Sequence, residues 1–156
     1  MAATCIDARE AVANDLAQLV ALARAFVAES DYGWTFSELL ARHAFETRFA
    51  DKRSAILVTD DAAGISGGVM VAHDREFHTQ RIGYIEKLYV YPRARGTRAG
   101  RALIEAADLW FRDHLVWSAF ATATAGVGQD QRFVNLLGKV GFRQIGPTLL
   151  RDYAHG

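Results

Sequence analysis

The sequence predicts a single α/β (α+β) domain in which helices are interspersed among the strands of a mixed sheet. Three observations predict it. Apolar residues switch along the chain between helical spacing and period two. The two prolines, Pro92 and Pro147, fall where a strand ends or a turn forms. The chain has 156 residues and 51% apolar content, enough for one sizeable core, and no linker, repeat or low-complexity run divides residues 1–156.

The elements read in the order β-α-α-β-β-β-α-β-α-β-β. Thr4 to Ala8 is a short first strand. Leu16, Leu19, Val20, Ala23 and Val27 recur at helical spacing and give a helix over about 12–29, broken by Ser30-Asp31-Tyr32-Gly33. Thr35 and Glu38 form a capping-box pattern for a second helix ending near His43 or Phe45. Ser54 to Asp60 and Ile65 to His73 make a hairpin around Asp61-Ala62-Ala63-Gly64, with Gly67-Gly68 marking a bulge. Asp74 to Gln80 is a polar loop. Arg81 to Tyr91 is the fourth strand, and period two puts Ile82, Tyr84, Glu86, Leu88 and Val90 on one face. Ala99, Leu103, Ala106, Ala107 and Trp110 are the apolar stripe of the next helix. Val116 to Ala123 is a fifth strand, and a short helix over Gln131 to Lys139 stops at Gly141. Phe142 to Ile145 and Thr148 to Tyr153 form a last strand pair.

Composition narrows the partners. Lys plus Arg and Asp plus Glu number 18 each, so no global charge favours nucleic acid or a membrane surface. Cys5 is the only cysteine, which excludes an internal disulfide and cysteine-based metal sites. The five histidines are scattered, with no convergent ligand set, and no metal is expected. No stretch reaches the length of a membrane span, and the first residues lack a signal-peptide pattern, so a cytoplasmic location is expected.

The local charge is more informative. From Leu88 to Leu103 an apolar strand enters a basic, glycine-punctuated turn that opens into a helix. A helix N-terminus presents unpaired N–H groups and partial positive charge, which suits an anion. Gly96 and Gly100 let the backbone approach a ligand closely, and Arg93, Arg95, Arg98 and Arg101 add charge suited to phosphates. A nucleotide phosphate loop is disfavoured, because the turn lacks the Gly-Lys-Ser/Thr ending.

This strand–turn–helix resembles the pyrophosphate-binding motif of the GNAT superfamily, the acyl-CoA-dependent N-acyltransferases. The family pattern is Arg or Gln, two residues, Gly, one residue, then Gly or Ala. Arg95-Gly96-Thr97-Arg98-Ala99-Gly100 fits it, except that Arg98 stands at the first motif glycine. Ile85 to Pro92 resembles the family's fourth strand, and Val140-Gly141-Phe142-Arg143 its signature after the last helix. The resemblance implies a mostly antiparallel central sheet flanked by helices, its fourth and fifth strands splayed to admit acyl-CoA. It implies an N-acetyltransferase that uses acetyl-CoA, without a metal, on a primary amine of a small molecule or protein, and it allows a homodimer. A non-catalytic or degenerate acyl-CoA-binding regulatory domain is the alternative.

Carried over residue by residue, the resemblance puts the pyrophosphate on Arg95, Gly96, Thr97, Arg98, Ala99, Gly100 and Arg101, and pantetheine on the backbone near Leu88 and Val90. Arg98 either crowds the loop or, as a helical residue that needs no glycine, turns its side chain outward and keeps its N–H toward the ligand. Glu86 is the candidate base, acting through a water. A sheet-edge carboxylate paired with an arginine is the competing reading of the same residue. The usual tyrosine acid is replaced by Leu137, and Asp130 stands where many members have asparagine; Asn135, Tyr153 or water are left as proton donors. The acceptor pocket falls on Tyr32, Trp34 and Phe36 and on the Asp74–Gln80 loop. The aromatics beside Glu29 and Asp31 would suit a cation. Trp34 and Phe36 equally read as a hydrophobic staple onto the second helix.

Overall fold

The computed structural model describes residues 7–77, 79–122 and 130–146. Its sheet has five strands in the order β1-β2-β3-β4-β5. They are β1 (Ala8–Glu10), β2 (Ser54–Asp61), β3 (Gly64–Asp74), β4 (Arg81–Val90) and β5 (Val116–Ala121). The first four pair antiparallel in sequence, and β5 joins β4 parallel. Four helices cover the sheet: α1 (Leu16–Glu29), α2 (Glu38–Ala50), α3 (Ala99–Asp113) and α4 (Asp130–Lys139).

The helices divide the core in two. On one face, Leu103, Ile104, Ala107 and Phe111 of α3 and Leu137 of α4 pack on Val69, Val71 and Ile85. On the other, Leu19, Val20 and Leu22 of α1 and Phe45 of α2 pack on Ile56, Val58 and Tyr89. Both faces of the central strands are therefore covered, as the buried runs of β2 and β3 require.

Local chemistry moves several expected boundaries. The strand expected at Thr4 to Ala8 starts at Ala8, and residues 1–6 lie outside the described residues. Helix α1 is preceded by a tight turn, Ala13–Asp15, because the Asp15 carboxylate accepts the Val12 N–H at 2.9 Å and the Arg9 guanidinium at 2.7 Å. Helix α2 is capped by Ser37, whose Oγ accepts the Leu40 N–H, and not by Thr35. It continues past Phe45 to Ala50 because Phe49, one turn on, extends the same apolar contact. Gly141, at φ +97°, ends α4 as expected, with the Phe142 N–H returning to the Leu137 carbonyl at 3.1 Å. Residues 142–146 carry no strand, and Thr148 to Tyr153, their expected partner, lie outside the described residues.

Three register shifts shape the sheet among the described residues, one of them at Trp117, where Arg81 pairs with Val116 and Ile82 with Ser118. Thr59 pairs with Gly67 and Asp60 with Ile65, so the extra residue is Ser66 and not Gly67-Gly68. The Ser66 hydroxyl donates to the buried Thr59 carbonyl at 3.1 Å, which satisfies the interrupted ladder locally. Gly68 lies within the ladder because Leu22 of α1 crosses it; an added Cβ would sit 2.9 Å from Leu22 Cδ2. In β4, Met70 pairs with Lys87 and Val71 with Ile85, leaving Glu86 as a second extra residue.

Candidate active site

The β4 bulge overturns the period-two expectation for Glu86. Ile85, Leu88 and Val90 face the α3 core. The Glu86 side chain instead crosses to the opposite layer and forms an ion pair with Arg48 of α2. Lys87, beside it, lines a cavity on that same α1–α2 side. A bulge sets two residues against one, so neighbours that would alternate in a regular strand both point toward α2. The ion pair is also the competing reading expected for Glu86, a carboxylate paired with an arginine.

Past Ile85, β4 leaves β5. Their pairing ends at Ile85 with Ala121, whereas β4 stays paired to β3 as far as Val90. One edge of residues 86–90 therefore has no strand partner among the described residues, and this opening is the splay expected for a pantetheine arm. The Val90 carbonyl is already engaged, accepting from Arg95 Nε at 3.0 Å.

Below the opening the chain turns into α3. Pro92–Ala94 make one tight turn, Gly96 takes φ +80°, and Thr97 Oγ1 donates to the Ala94 carbonyl at 2.6 Å while accepting the Ala99 N–H at 3.2 Å. Arg98 sits at φ −75°, ψ −6°, so the expected glycine is not required there, and its side chain is 61% exposed. The first intrahelical bond is Ala102 N–H to the Arg98 carbonyl, which leaves the N–H groups of Gly100 and Arg101 at the helix end without a carbonyl partner among the described residues. Gly96→Ala should therefore cost about 1–2 kcal/mol by forcing a Cβ into the left-handed region. Gly100→Ala should stabilise by about 0.5–1 kcal/mol, since its Cβ would meet Leu136 Cδ2 at an ordinary 3.5 Å. Thermal unfolding of the two variants checks the contrast.

The arginines of the turn do not act together. Arg95 grips both Glu29 oxygens at 2.6 Å, and Tyr89 Oη donates to the same carboxylate at 2.7 Å. Its side chain thus braces the turn against the end of α1. Glu29 needs this partner because a carboxylate at a helix C-terminus opposes the dipole. Arg95 holds the Glu29 carboxyl below the usual range, and burial pushes the Tyr89 phenol well above its own. Glu29 is therefore not available to a cationic acceptor. Arg93 binds Asp61 at 2.9 Å and the Ile65 carbonyl at 2.9 Å, tying the turn to the hairpin. Arg98 and Arg101 alone stay mostly exposed beside the start of α3, sharing Glu105 at 3.8 and 2.6 Å.

On the α1–α2 side of β4, a cavity of about 340 Å³ lies between both helices, β3 and β4. Trp34 lines it, and Tyr32 stacks on Trp34 with ring centres 4.5 Å apart. Phe36, next to the Ser37 cap, lines the cavity as well and packs against the second core. Among the described residues, none from the loop at 74–80 lines the cavity, and His78 lies outside them. Leu137 is 6% exposed within the first core, so the usual acid position is packed. Asn135 is exposed and accepts from Gln131 at 2.9 Å, and Tyr153 lies outside the described residues. Among the described residues no three His, Cys, Asp or Glu side chains converge on a metal position, and no helix is long and apolar enough to cross a membrane.

Sequence reading missed Arg48 and Lys87. Arg48 lies beyond the expected end of α2, and Lys87, opposite Leu88 in the alternation, carries no motif that marks it; no local signal announces the bulge.

Comparison with known proteins follows this geometry. The model of the acetyltransferase (GNAT) family matches residues 19–142. No curated protein matches the chain. Among solved structures, a transcriptional regulator from Bacillus halodurans C-125 is similar at TM-score 0.76 and 20% identity, over 95% of this chain and 99% of that one. A predicted acetyltransferase with acetyl-CoA from Clostridium acetobutylicum is similar at TM-score 0.74 and 16% identity, over 94% and 96% of the two chains. The aminoglycoside antibiotic 6'-N-acetyltransferase AAC(6')-IG from Acinetobacter haemolyticus reaches TM-score 0.74 at 15% identity, over 97% and 100%.

Proposed function

Since this chain belongs to the acetyltransferase (GNAT) family, we propose that it is an acetyl-CoA-dependent N-acetyltransferase acting on a primary amine. One observation carries the reading: the half of β4 that β5 leaves unpaired leads, through the turn at residues 91–98, into the N-terminus of α3. That edge and that helix end together fit an extended amide-bearing arm joined to a pyrophosphate. The turn of Gly96, Thr97, Arg98, Ala99, Gly100 and Arg101 would hold the pyrophosphate, chiefly through the N–H groups of Gly100 and Arg101 and the exposed guanidinium groups of Arg98 and Arg101. The backbone near Leu88 would hold the pantetheine. Acetyl-CoA supplies a thioester whose C–S bond breaks as the N–C bond to the amine forms, the amine losing one proton and the departing thiolate taking one.

Glu86 has the position for the proton at the amine. It is a carboxylate at the edge of the opening, one third exposed, on the side where the cavity lies. Its pairing with Arg48 keeps it oriented, and a water beside it would relay the proton. The thiolate's proton has no side-chain source at Leu137 and comes from solvent. A thiol of pKa about 8.5 is a tolerable leaving group, so positioning supplies most of the remaining acceleration.

The buried Leu137 favours one other reading, a domain that binds acyl-CoA without turning it over. Acetyl-CoA at about 100 times its Kd should raise Tm by about 5–10 °C, with no shift from ATP or NAD. No shift with any acyl-CoA sinks both readings. Thiol release over a panel of amines then separates the enzyme from the binding domain.

A further inference from the structure

The cavity beside the β4 bulge narrows the acceptor, resting on the acetyltransferase reading above. We infer that the acceptor is a small hydrophobic amino acid, its apolar side chain in the cavity, its amine toward Glu86 and its carboxylate on Lys87.

The walls come first. Leu19, Leu22 and Phe26 of α1, Leu40 and Phe45 of α2, and Met70 of β3 make an apolar lining. Among the described residues that line the cavity, Lys87 is the one charged side chain, and none is a carboxylate. Tyr89 is the one large polar side chain there, and its hydroxyl is already donated to Glu29. A polyamine or aminoglycoside brings several ammonium groups that would lose water with nothing to replace it. A volume of about 340 Å³ is near the lower end of ligand pockets, roughly 300–1,000 Å³, which suits one aromatic or branched side chain better than several sugar rings.

The rim supplies the charges. The bulge puts a carboxylate and an ammonium on consecutive residues, Glu86 and Lys87, both directed to the α2 side. A zwitterion with adjacent amine and carboxylate is the complement of that pair. Arg48 adds a second cation: it continues the stripe of Ala41, Ala44 and Phe45 that lines the cavity, one turn further along α2. Its Nη1 is buried without a hydrogen-bond partner among the described residues, while the same guanidinium pairs with Glu86. Arg48 and Lys87 both flank Glu86 at this rim, so an acceptor carboxylate finds a cation there that a polycation would meet with repulsion.

The test is thiol release from acetyl-CoA with L-phenylalanine, L-leucine, phenethylamine, spermidine and kanamycin as acceptors. Phenylalanine and leucine should give kcat/KM at least about tenfold above phenethylamine, the worth of one charge-assisted contact, and above both polycations. Lys87→Met should erase the advantage of phenylalanine over phenethylamine through KM, and Lys87→Arg should keep it. Lys87 is exposed, so neither change disturbs the core. A polycation as best acceptor, or an undiminished carboxylate preference in Lys87→Met, overturns the assignment. Release with other amines but not with the acids overturns the acceptor class alone. No release with any amine, while acetyl-CoA still raises Tm, overturns the catalytic reading with it.

Discussion

Replacing Glu86 by glutamine should lower kcat by about 100-fold, the lower range for loss of a positioned general base, with the Kd for acetyl-CoA unchanged. Glutamine keeps the size of the side chain and a hydrogen-bond acceptor for Arg48, so the ion pair weakens without opening a cavity. The carboxylate is one third exposed and Arg48 slightly less so, and a pair of that exposure contributes little net stability. Activity is therefore where the change should register. A variant with wild-type kcat removes Glu86 from the mechanism and leaves it as the partner of Arg48.

Arg95→Ala should have the largest effect on stability. Three hydrogen bonds end on this side chain: two from the guanidinium to Glu29 at 2.6 Å and one to the Val90 carbonyl at 3.0 Å. Truncation leaves the Glu29 carboxylate, 28% exposed, with the Tyr89 hydroxyl as its main partner. Loss of one partner of a mostly buried pair costs about 2–3 kcal/mol at this exposure, or a Tm lower by roughly 5–10 °C. The turn would also lose its anchor to α1, so KM for acetyl-CoA should rise several-fold while the pH profile of kcat keeps its shape. That split separates Arg95 from Glu86.

The same pair sets a pH dependence of stability. Glu29 has a folded pKa below its ordinary 4.5, first because of Arg95 and then Tyr89. A depressed carboxylate stabilises the fold above its unfolded pKa, and the contribution disappears as pH falls through the folded value. Tm should therefore be flat with respect to this group above pH 4.5 and decline below it. Arg95→Ala should flatten the decline, which Tm measured from neutral to acid pH will show.

Much of the fold was legible because it depends on local pattern. The apolar stripe of α3, the hairpin turn at Asp61 to Gly64 and the Gly141 stop each rest on residues close in sequence, and each stands where the pattern put it. Ser37 displaced Thr35 as the cap of α2 because both can accept an N–H, and only the path of the chain from α1 decides which one meets the helix end. The site was less legible. Arg95, Arg98 and Arg101 are alike in sequence, yet one is folded back onto Glu29 and the other two face solvent.

The sequence by itself determined the order of the elements as far as α4, the glycine-bearing turn ahead of α3 and the family pattern around Arg95 to Gly100. Those are properties of neighbouring residues, and neighbours fix backbone preference. Tertiary structure alone decided where the strand registers slip. The bulge at Glu86 exists because β4 must match β3 at both ends, a condition set by the residues of β3 from Gly67 to Asp74 and not by the neighbours of Glu86. From that one slip follow the turning of Glu86 toward α2 beside Lys87 and its pairing with Arg48.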